Sequence, residues 1–146
     1  MSNRIDPPFR ADHVGSLLRP PAVHQARAQA AAGEITAAEL RSVEDTAIAA
    51  AVGRLADTGI RSLTDGEFRR AFFHLDFLEQ LDGVAVTGRI AASSNSEETV
   101  HMSPPRLAVV GPIRHTHDIQ VDDFRYLSSV VDGLGRPETM PMVCIP

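Results

Sequence analysis

The sequence contains no lysine, since all 14 of its basic residues are arginine. This absence excludes Schiff-base chemistry by a lysine of this chain. The single cysteine, Cys144, excludes an internal disulfide and a zinc site built from several cysteines of this chain. A net charge of -5 argues against a general nucleic-acid binder, which would need a basic face.

Long apolar runs are also absent. No stretch approaches the ~20 apolar residues that a membrane span requires, and residues 1–8 lack the apolar core of a signal peptide. We therefore expect a cytoplasmic protein with no membrane partner. A length of 146 residues with 43% hydrophobic residues is typical of one soluble domain, here residues 1–146.

The pattern of apolar residues predicts an α/β fold. Thr36 and Glu39 match a capping box, and the periodicity after them predicts a helix over 37–57 with an apolar stripe. That stripe consists of Leu40, Val43, Ala47, Ala51 and Leu55, and its acidic neighbours Glu44 and Asp45 are assigned to the solvated face. A second long helix is predicted over 122–132, and a shorter one over 22–32. We predict parallel strands near residues 13–17, 61–65, 106–111 and 141–145, with an irregular or hairpin excursion between Gly83 and Pro105.

The most informative stretch follows the predicted strand 60–64. Asp65 and Gly66 form a turn signal, and Glu67 comes directly after it. Residues at the carboxyl ends of parallel strands often carry function, so Glu67 is a candidate ligand-binding residue. The alternative is that Glu67 only complements the dipole of a helix that begins there, worth a few tenths to about 1 kcal/mol.

Three further polar features, two single residues and one pair of histidines, are also candidates for binding a ligand or a metal. Ser16 follows Gly15 and is either a turn former or a donor to a ligand carboxylate. His13 is either a hydrogen-bonded structural residue or a ligand or base. His115 and His117 share one side of an extended segment, yet zinc needs three or four ligands and no third ligand is evident.

Four segments together resemble a known family. Residues 9–20, 44–45, 64–70 and 76–78, in this order, are similar to the cobalamin-independent methionine synthase family, in its short, single-barrel bacterial branch (methionine synthase II-like). The resemblance covers residues from about 9 to 146. It implies a partial (β/α)8 TIM-type barrel, roughly the first four strands, so that residues 1–146 would be the N-terminal half of a barrel.

The resemblance also implies a reaction and three substrate-binding residues. The reaction is zinc-assisted methyl transfer from a 5-methyltetrahydrofolate-type donor to the thiol of homocysteine. Val14 and Ser16 would hold the amino-acid part of homocysteine, and Glu67 would bind its ammonium group. Contacts to both ends of one zwitterion would fix where its sulfur points.

The zinc ligands of the family are a His, a Glu and two Cys from later barrel strands, and none matches a residue of this chain. We therefore expect the zinc ligands and catalytic residues outside this chain, with Cys144 as a buried strand residue. Open sheet edges would favour a homo-oligomer or a complementary half-barrel as partner. Two alternatives remain: a related barrel enzyme acting on another thiol or on a decarboxylation substrate, and a non-catalytic half-barrel that binds another protein.

Overall fold

The computed structural model describes His13 and residues 16–72, 75–89 and 105–143. The chain divides into two compact units. The first lies within Met1–Arg69 and Val121–Ile145, and the second within Arg70–Gln120.

Both units combine helices and strands, so the fold is mixed α/β. The first unit contains α1 (Pro21–Ala31), α2 (Ala37–Asp57), β1 (Ser62–Leu63), α4 (Val121–Gly133) and β4 (Met140–Pro141). The second unit contains α3 (Leu75–Leu78), β2 (Asp82–Arg89) and β3 (Pro105–Arg114). No helix of the described residues is long and apolar enough to cross a membrane.

The start of α2 confirms the predicted capping box. The backbone N–H of Glu39 donates to the hydroxyl of Thr36 at 3.2 Å, and the Glu39 carboxylate accepts from the backbone N–H of Thr36 at 2.8 Å. These bonds from the backbone and hydroxyl of Thr36 hold the pKa of the Glu39 carboxyl below its usual value. The helix therefore begins where the sequence places it.

The buried face of α2 is shifted by about one position along the sequence from the predicted stripe, and the two share only Ala51. Its buried members are Glu44, Ile48, Ala51, Val52 and Ala56. The stripe assigned from the sequence is only partly buried, except at Ala51, and Glu44 is wrongly assigned to the solvated face. Glu44 can face inward because Arg27 pairs with it at 3.1 Å, and a paired charge tolerates burial.

In the core of the first unit, α2 packs against α4, against Leu63 of β1 and against Phe68, which follows β1. The buried side chains of this core are Ile48, Ala51, Val52, Ala56, Leu63, Phe68, Leu127 and Val131. Helix α4 confirms the prediction over 122–132, and two of its residues, Leu127 and Val131, contribute to this core.

Strand β1 pairs with β4 in a two-stranded parallel sheet, with Ser62 opposite Met140 and Leu63 opposite Pro141. This pairing agrees with the parallel strands predicted near 61–65 and 141–145, although each strand is only two residues long. Residues 144–146, including Cys144, lie outside the described residues. His13, Ser16 and Leu17 of the strand predicted near 13–17 are not in a strand.

The parallel strand predicted near 106–111 is wrong. These residues belong to β3, which pairs antiparallel with β2, so that Val84 lies opposite Val109. A parallel pair needs a crossover that can pack on the sheet, usually a helix, and the polar, serine-rich sequence between the strands has no apolar stripe for that purpose. Of the irregular or hairpin excursion expected between Gly83 and Pro105, residues 83–89 belong to β2, which pairs antiparallel with β3, and residues 90–104 lie outside the described residues. Within the described ranges every sheet has two strands and no barrel closes.

Candidate functional site

The turn after β1 is tightly specified by its own side chains. The hydroxyl of Thr64 accepts from the N–H of Gly66 at 3.2 Å, and the carboxylate of Asp65 accepts from the N–H of Glu67 at 2.9 Å. Gly66 and Glu67 both have left-handed backbone conformations, with φ of 64° and 57°. For glutamate this conformation costs on the order of 1–3 kcal/mol, so the surroundings must hold it in place.

The same turn removes one interpretation of Glu67. Residues 66–69 form a turn, and the next described helix, α3, begins at Leu75. Since no helix starts at Glu67, complementing a helix dipole does not explain its position. The alternative explanation of Glu67, which required a helix to begin there, is therefore wrong.

Glu67 and Ser16 lie in direct contact. The Ser16 hydroxyl donates to Oε2 of Glu67 at 2.7 Å, and the backbone N–H of Leu17 donates to the carbonyl of Gly66 at 3.0 Å. Glu67 is only 2% exposed, whereas Ser16 is exposed. The structure thus brings these two predicted site residues together next to the carboxyl end of β1, while Val14 lies outside the described residues.

Two arginines hold the carbonyl side of the turn. Arg19 donates from Nη2 to the carbonyl of Glu67 at 2.8 Å and from Nε to the carbonyl of Phe68 at 3.3 Å. Arg27 donates to the carbonyl of Phe68 at 2.5 Å and also to the carboxylate of Glu44. Burial and the neighbouring charge of Arg27 lower the pKa of Arg19, which nevertheless stays cationic at neutral pH.

His13 has a structural contact near the same turn. Its Nδ1 lies 3.3 Å from the hydroxyl of Thr64, the group that also accepts from Gly66. This contact agrees with the interpretation of His13 as a hydrogen-bonded structural residue.

Behind the turn, Arg69 joins the acidic residues of α2 to α4. Its guanidinium lies 3.5 Å from the Glu44 carboxylate and 3.2 Å from that of Asp123, and it forms a short ion pair with Asp45. The Tyr126 ring centroid lies 5.2 Å from Cζ of Arg69. Sequence patterns did not indicate this cluster, although its residues Glu44, Asp45 and Arg69 belong to segments that carry the family resemblance.

The described residues do not fit a zinc site. Among them, no group of three or more His, Cys, Asp or Glu side chains could hold a metal ion. His115 and His117 are therefore not joined by a third donor within the described part of the chain.

The chain is similar in sequence to parts of larger proteins. No protein-family profile matches it. It is 41% identical over 139 residues to YxjG, an uncharacterized protein of Bacillus subtilis strain 168, covering 94% of this chain and 36% of that protein. A 5-methyltetrahydropteroyltriglutamate–homocysteine methyltransferase of Trichodesmium erythraeum strain IMS101 is 30% identical over 133 residues, which cover 90% of this chain and 17% of that protein.

A solved structure gives the same result for the fold. A candidate vitamin-B12-independent methionine synthase from Listeria monocytogenes superposes with a TM-score of 0.69 at 37% identity, covering 90% of this chain and 34% of that protein. The chain thus spans about a third of the length of YxjG and of the Listeria protein. Its relatives and structural neighbours are cobalamin-independent methionine-synthase-like proteins, and the chain matches a part of these larger proteins.

Proposed function

We propose that this chain supplies the amino-acid-binding part of a methionine-synthase-like methyltransferase. Glu67 binds the ammonium group of homocysteine, and Ser16 together with Val14 holds the remainder of its amino-acid portion. The observation that supports this assignment is the contact between the buried Glu67 carboxylate and the exposed Ser16 hydroxyl, on a strained turn at the carboxyl end of β1. Strained backbone at a strand end is typical of binding sites.

The direction of the Ser16 hydrogen bond suggests how an amino acid enters. While the Ser16 hydroxyl donates to Glu67, both side chains present acceptor oxygens, which suit the three N–H donors of an ammonium group. When the ammonium donates to Glu67, the hydroxyl of Ser16 is released to rotate and donate to the substrate carboxylate. The two ends of the zwitterion are then held by two residues that were previously bound to each other.

The complete reaction is the transfer of a methyl group from a methylated folate to the homocysteine thiol, within a larger enzyme of which this chain forms a part. In that enzyme, zinc would supply a thiolate at neutral pH. Because the described residues do not assemble a zinc site, we assign the chain itself only the binding and orientation of the amino acid.

We expect Glu67→Gln to weaken L-homocysteine binding at least about thirtyfold, because it removes the negative partner of a desolvated ammonium. Binding is measured by calorimetric or NMR titration of the whole chain. The comparison ligand is 4-mercaptobutanoate, which keeps the thiol and carboxylate but lacks the amino group. Glu67→Gln should leave its affinity nearly unchanged.

The matched control is Glu34→Gln, which neutralises an exposed carboxylate just after α1. It should bind both ligands as the unchanged chain does. Equal loss of both ligands in Glu67→Gln, or no loss of either, would contradict the assignment of Glu67 to the ammonium group.

We also propose that the chain associates through the hairpin of β2 and β3. Val86, Val109, Val110 and Ile113 are between 52% and 66% exposed, and a run of exposed apolar side chains on paired strands favours association. The partner is a second copy or a complementary part of the barrel.

The molar mass measured by light scattering is expected to exceed that of one chain, 15.8 kDa, and to rise with concentration. The double variant Val109→Thr/Val110→Thr should shift the mass toward that of one chain. Leu18→Gln, which changes an exposed apolar residue of the first unit, should not. A mass of one chain at all concentrations would refute association.

A further inference from the structure

We propose that Arg19 is a positioning residue that holds Glu67 in the geometry for binding an ammonium group. This inference rests on the proposed function of Glu67. Nothing in the sequence pattern singles out Arg19, whose role follows from the contacts around the turn.

Arg19 contacts two successive carbonyls of the strained turn. Its Nη2 lies 2.8 Å from the carbonyl oxygen of Glu67, and its Nε lies 3.3 Å from that of Phe68. A planar guanidinium can bridge two acceptors at a fixed spacing, whereas a lysine ammonium acts as a single point charge. The fork of Arg19 therefore fixes the direction of two peptide planes at once.

The two sides of Glu67 are held by different parts of the chain. Its N–H is bound by the carboxylate of Asp65 at 2.9 Å, within the turn itself. Its carbonyl is bound by Arg19, from a segment 48 residues earlier. The peptide after Glu67 has one long contact within the turn, from the N–H of Phe68 to the carbonyl of Asp65 at 3.4 Å, and the shorter contact from Arg19 to its carbonyl.

Arg19 also couples Glu67 to Ser16, because Arg19 and Ser16 lie on the same segment before α1. Along this segment Ser16 binds the side chain of Glu67, the N–H of Leu17 binds the carbonyl of Gly66, and Arg19 binds the next two carbonyls. Hydrogen bonds thus join the segment 16–19 to residues 66–68 of the turn. Losing Arg19 would shift the Glu67 carboxylate relative to Ser16, and with it the two ends of the amino-acid site.

Arg27 offers a matched comparison. It donates to the same carbonyl of Phe68 at 2.5 Å but makes its ion pair with Glu44, toward α2. If both arginines only stabilised the turn, replacing Arg19 or Arg27 would change the backbone of Glu67 to the same extent. If Arg19 positions Glu67, the two replacements differ.

The test compares Arg19→Gln, Arg19→Lys and Arg27→Gln in the whole chain. The first readout is the preference for L-homocysteine over 4-mercaptobutanoate, which depends on the ammonium contact. We expect Arg19→Gln to reduce this preference on the order of tenfold, because small displacements of a binding group carry large losses. Arg19→Lys should restore it only in part, and Arg27→Gln should keep it although its thermal midpoint falls.

The second readout needs no ligand. The Cα and carbonyl carbon NMR shifts of Glu67 report its backbone angles, and we expect them to change in Arg19→Gln but to stay near their original values in Arg27→Gln. Unchanged Glu67 shifts in Arg19→Gln, or equal changes in both variants, would overturn the inference. If the unchanged chain shows no preference between the two ligands, the proposed function fails, and the Glu67 shifts still decide whether Arg19 positions this residue.

Discussion

Replacing Arg69 by methionine is expected to lower the free energy of unfolding by about 3–5 kcal/mol, because it leaves a group of partly buried carboxylates without their shared cation. Methionine keeps much of the volume of the arginine stem, so the loss reports charge and hydrogen bonding more than packing. The side chain of Arg69 is only 8% exposed and that of Glu44 9%, whereas those of Asp45 and Asp123 are 29% and 28% exposed, so solvent screens part of the cluster.

The position of Arg69 explains the size of the expected effect. Its guanidinium contacts the carboxylates of Glu44, Asp45 and Asp123, two on α2 and one on α4. Burial by itself would lower the pKa of Arg69, but the hydrogen bond to Asp45 and the charges of Asp123 and Glu44 outweigh it, so the pKa is raised. Arg69 is therefore a permanent cation. Its removal takes the shared cation from three carboxylates, of which Glu44 keeps its pair with Arg27 and Asp123 its pair with Arg41.

The control for this variant is Arg125→Met, which also removes an arginine from an ion pair. Arg125 pairs with Asp122 at 2.8 Å, but the two side chains are 68% and 81% exposed. Exposed pairs contribute little, so we expect a change within about 0.5 kcal/mol. Urea unfolding of both variants at neutral pH gives the comparison, and equal effects would show that the cluster around Arg69 is no more than a surface ion pair.

The Arg69 cluster also shows where sequence patterns stop being informative. Periodicity treats an acidic residue on a helix as solvated, and this rule failed for Glu44, which is 6% exposed. The rule fails because burial of a charge depends on its partner, and Arg69 is 25 residues away along the chain. No local window contains both residues.

Features with local causes were predicted more successfully. The capping box of Thr36 and Glu39 joins residues three positions apart, and the structure confirms it. The hairpin was anticipated from alternation in residues 84–90, but the direction of β3 was not, because strand direction depends on what connects two strands and on what covers them.

In the candidate site, too, some features were predicted from the sequence and others were not. A family resemblance was sufficient to select Ser16 and Glu67, which the structure brings into contact. The left-handed backbone of Glu67 could not be inferred from the sequence, since glutamate normally avoids that conformation. Its N–H is bound by Asp65 within the turn and its carbonyl by Arg19 from a distant segment, so its contacts are partly local and partly tertiary.

The second large effect is expected for Gly83→Ala in the hairpin. Gly83 has φ of 81°, in the left-handed region, and lies beside an irregularity at which the pairing shifts between Asp82 and Val84. An added Cβ would lie 2.7 Å from the carbonyl oxygen of Gly111 and still closer to that of Pro112. Both obstacles are backbone atoms, which cannot move aside as a flexible side chain would.

Backbone strain of about 1–3 kcal/mol and overpacking of about 1–3 kcal/mol both act on Gly83→Ala. An isolated two-stranded hairpin is marginally stable in water, so this cost is expected to open the pairing of β2 with β3. Hydrogen exchange of the β2 and β3 amides that bond across the hairpin measures the opening directly, and their protection should be largely lost; the amide of Val84, which donates to Leu81, is left out of this readout.

Gly111→Ala is the matched control, because it adds the same methyl group on the opposite strand of the same close approach. Its Cβ would meet only the Cα of Gly83, at an ordinary distance of 3.9 Å, and its backbone is not left-handed. Protection of the hairpin amides should therefore survive in Gly111→Ala. If both variants keep the hairpin, the close approach at Gly83 does not fix the register of β2 against β3; if both lose it, the methyl group rather than the left-handed conformation and carbonyl contacts of Gly83 is responsible.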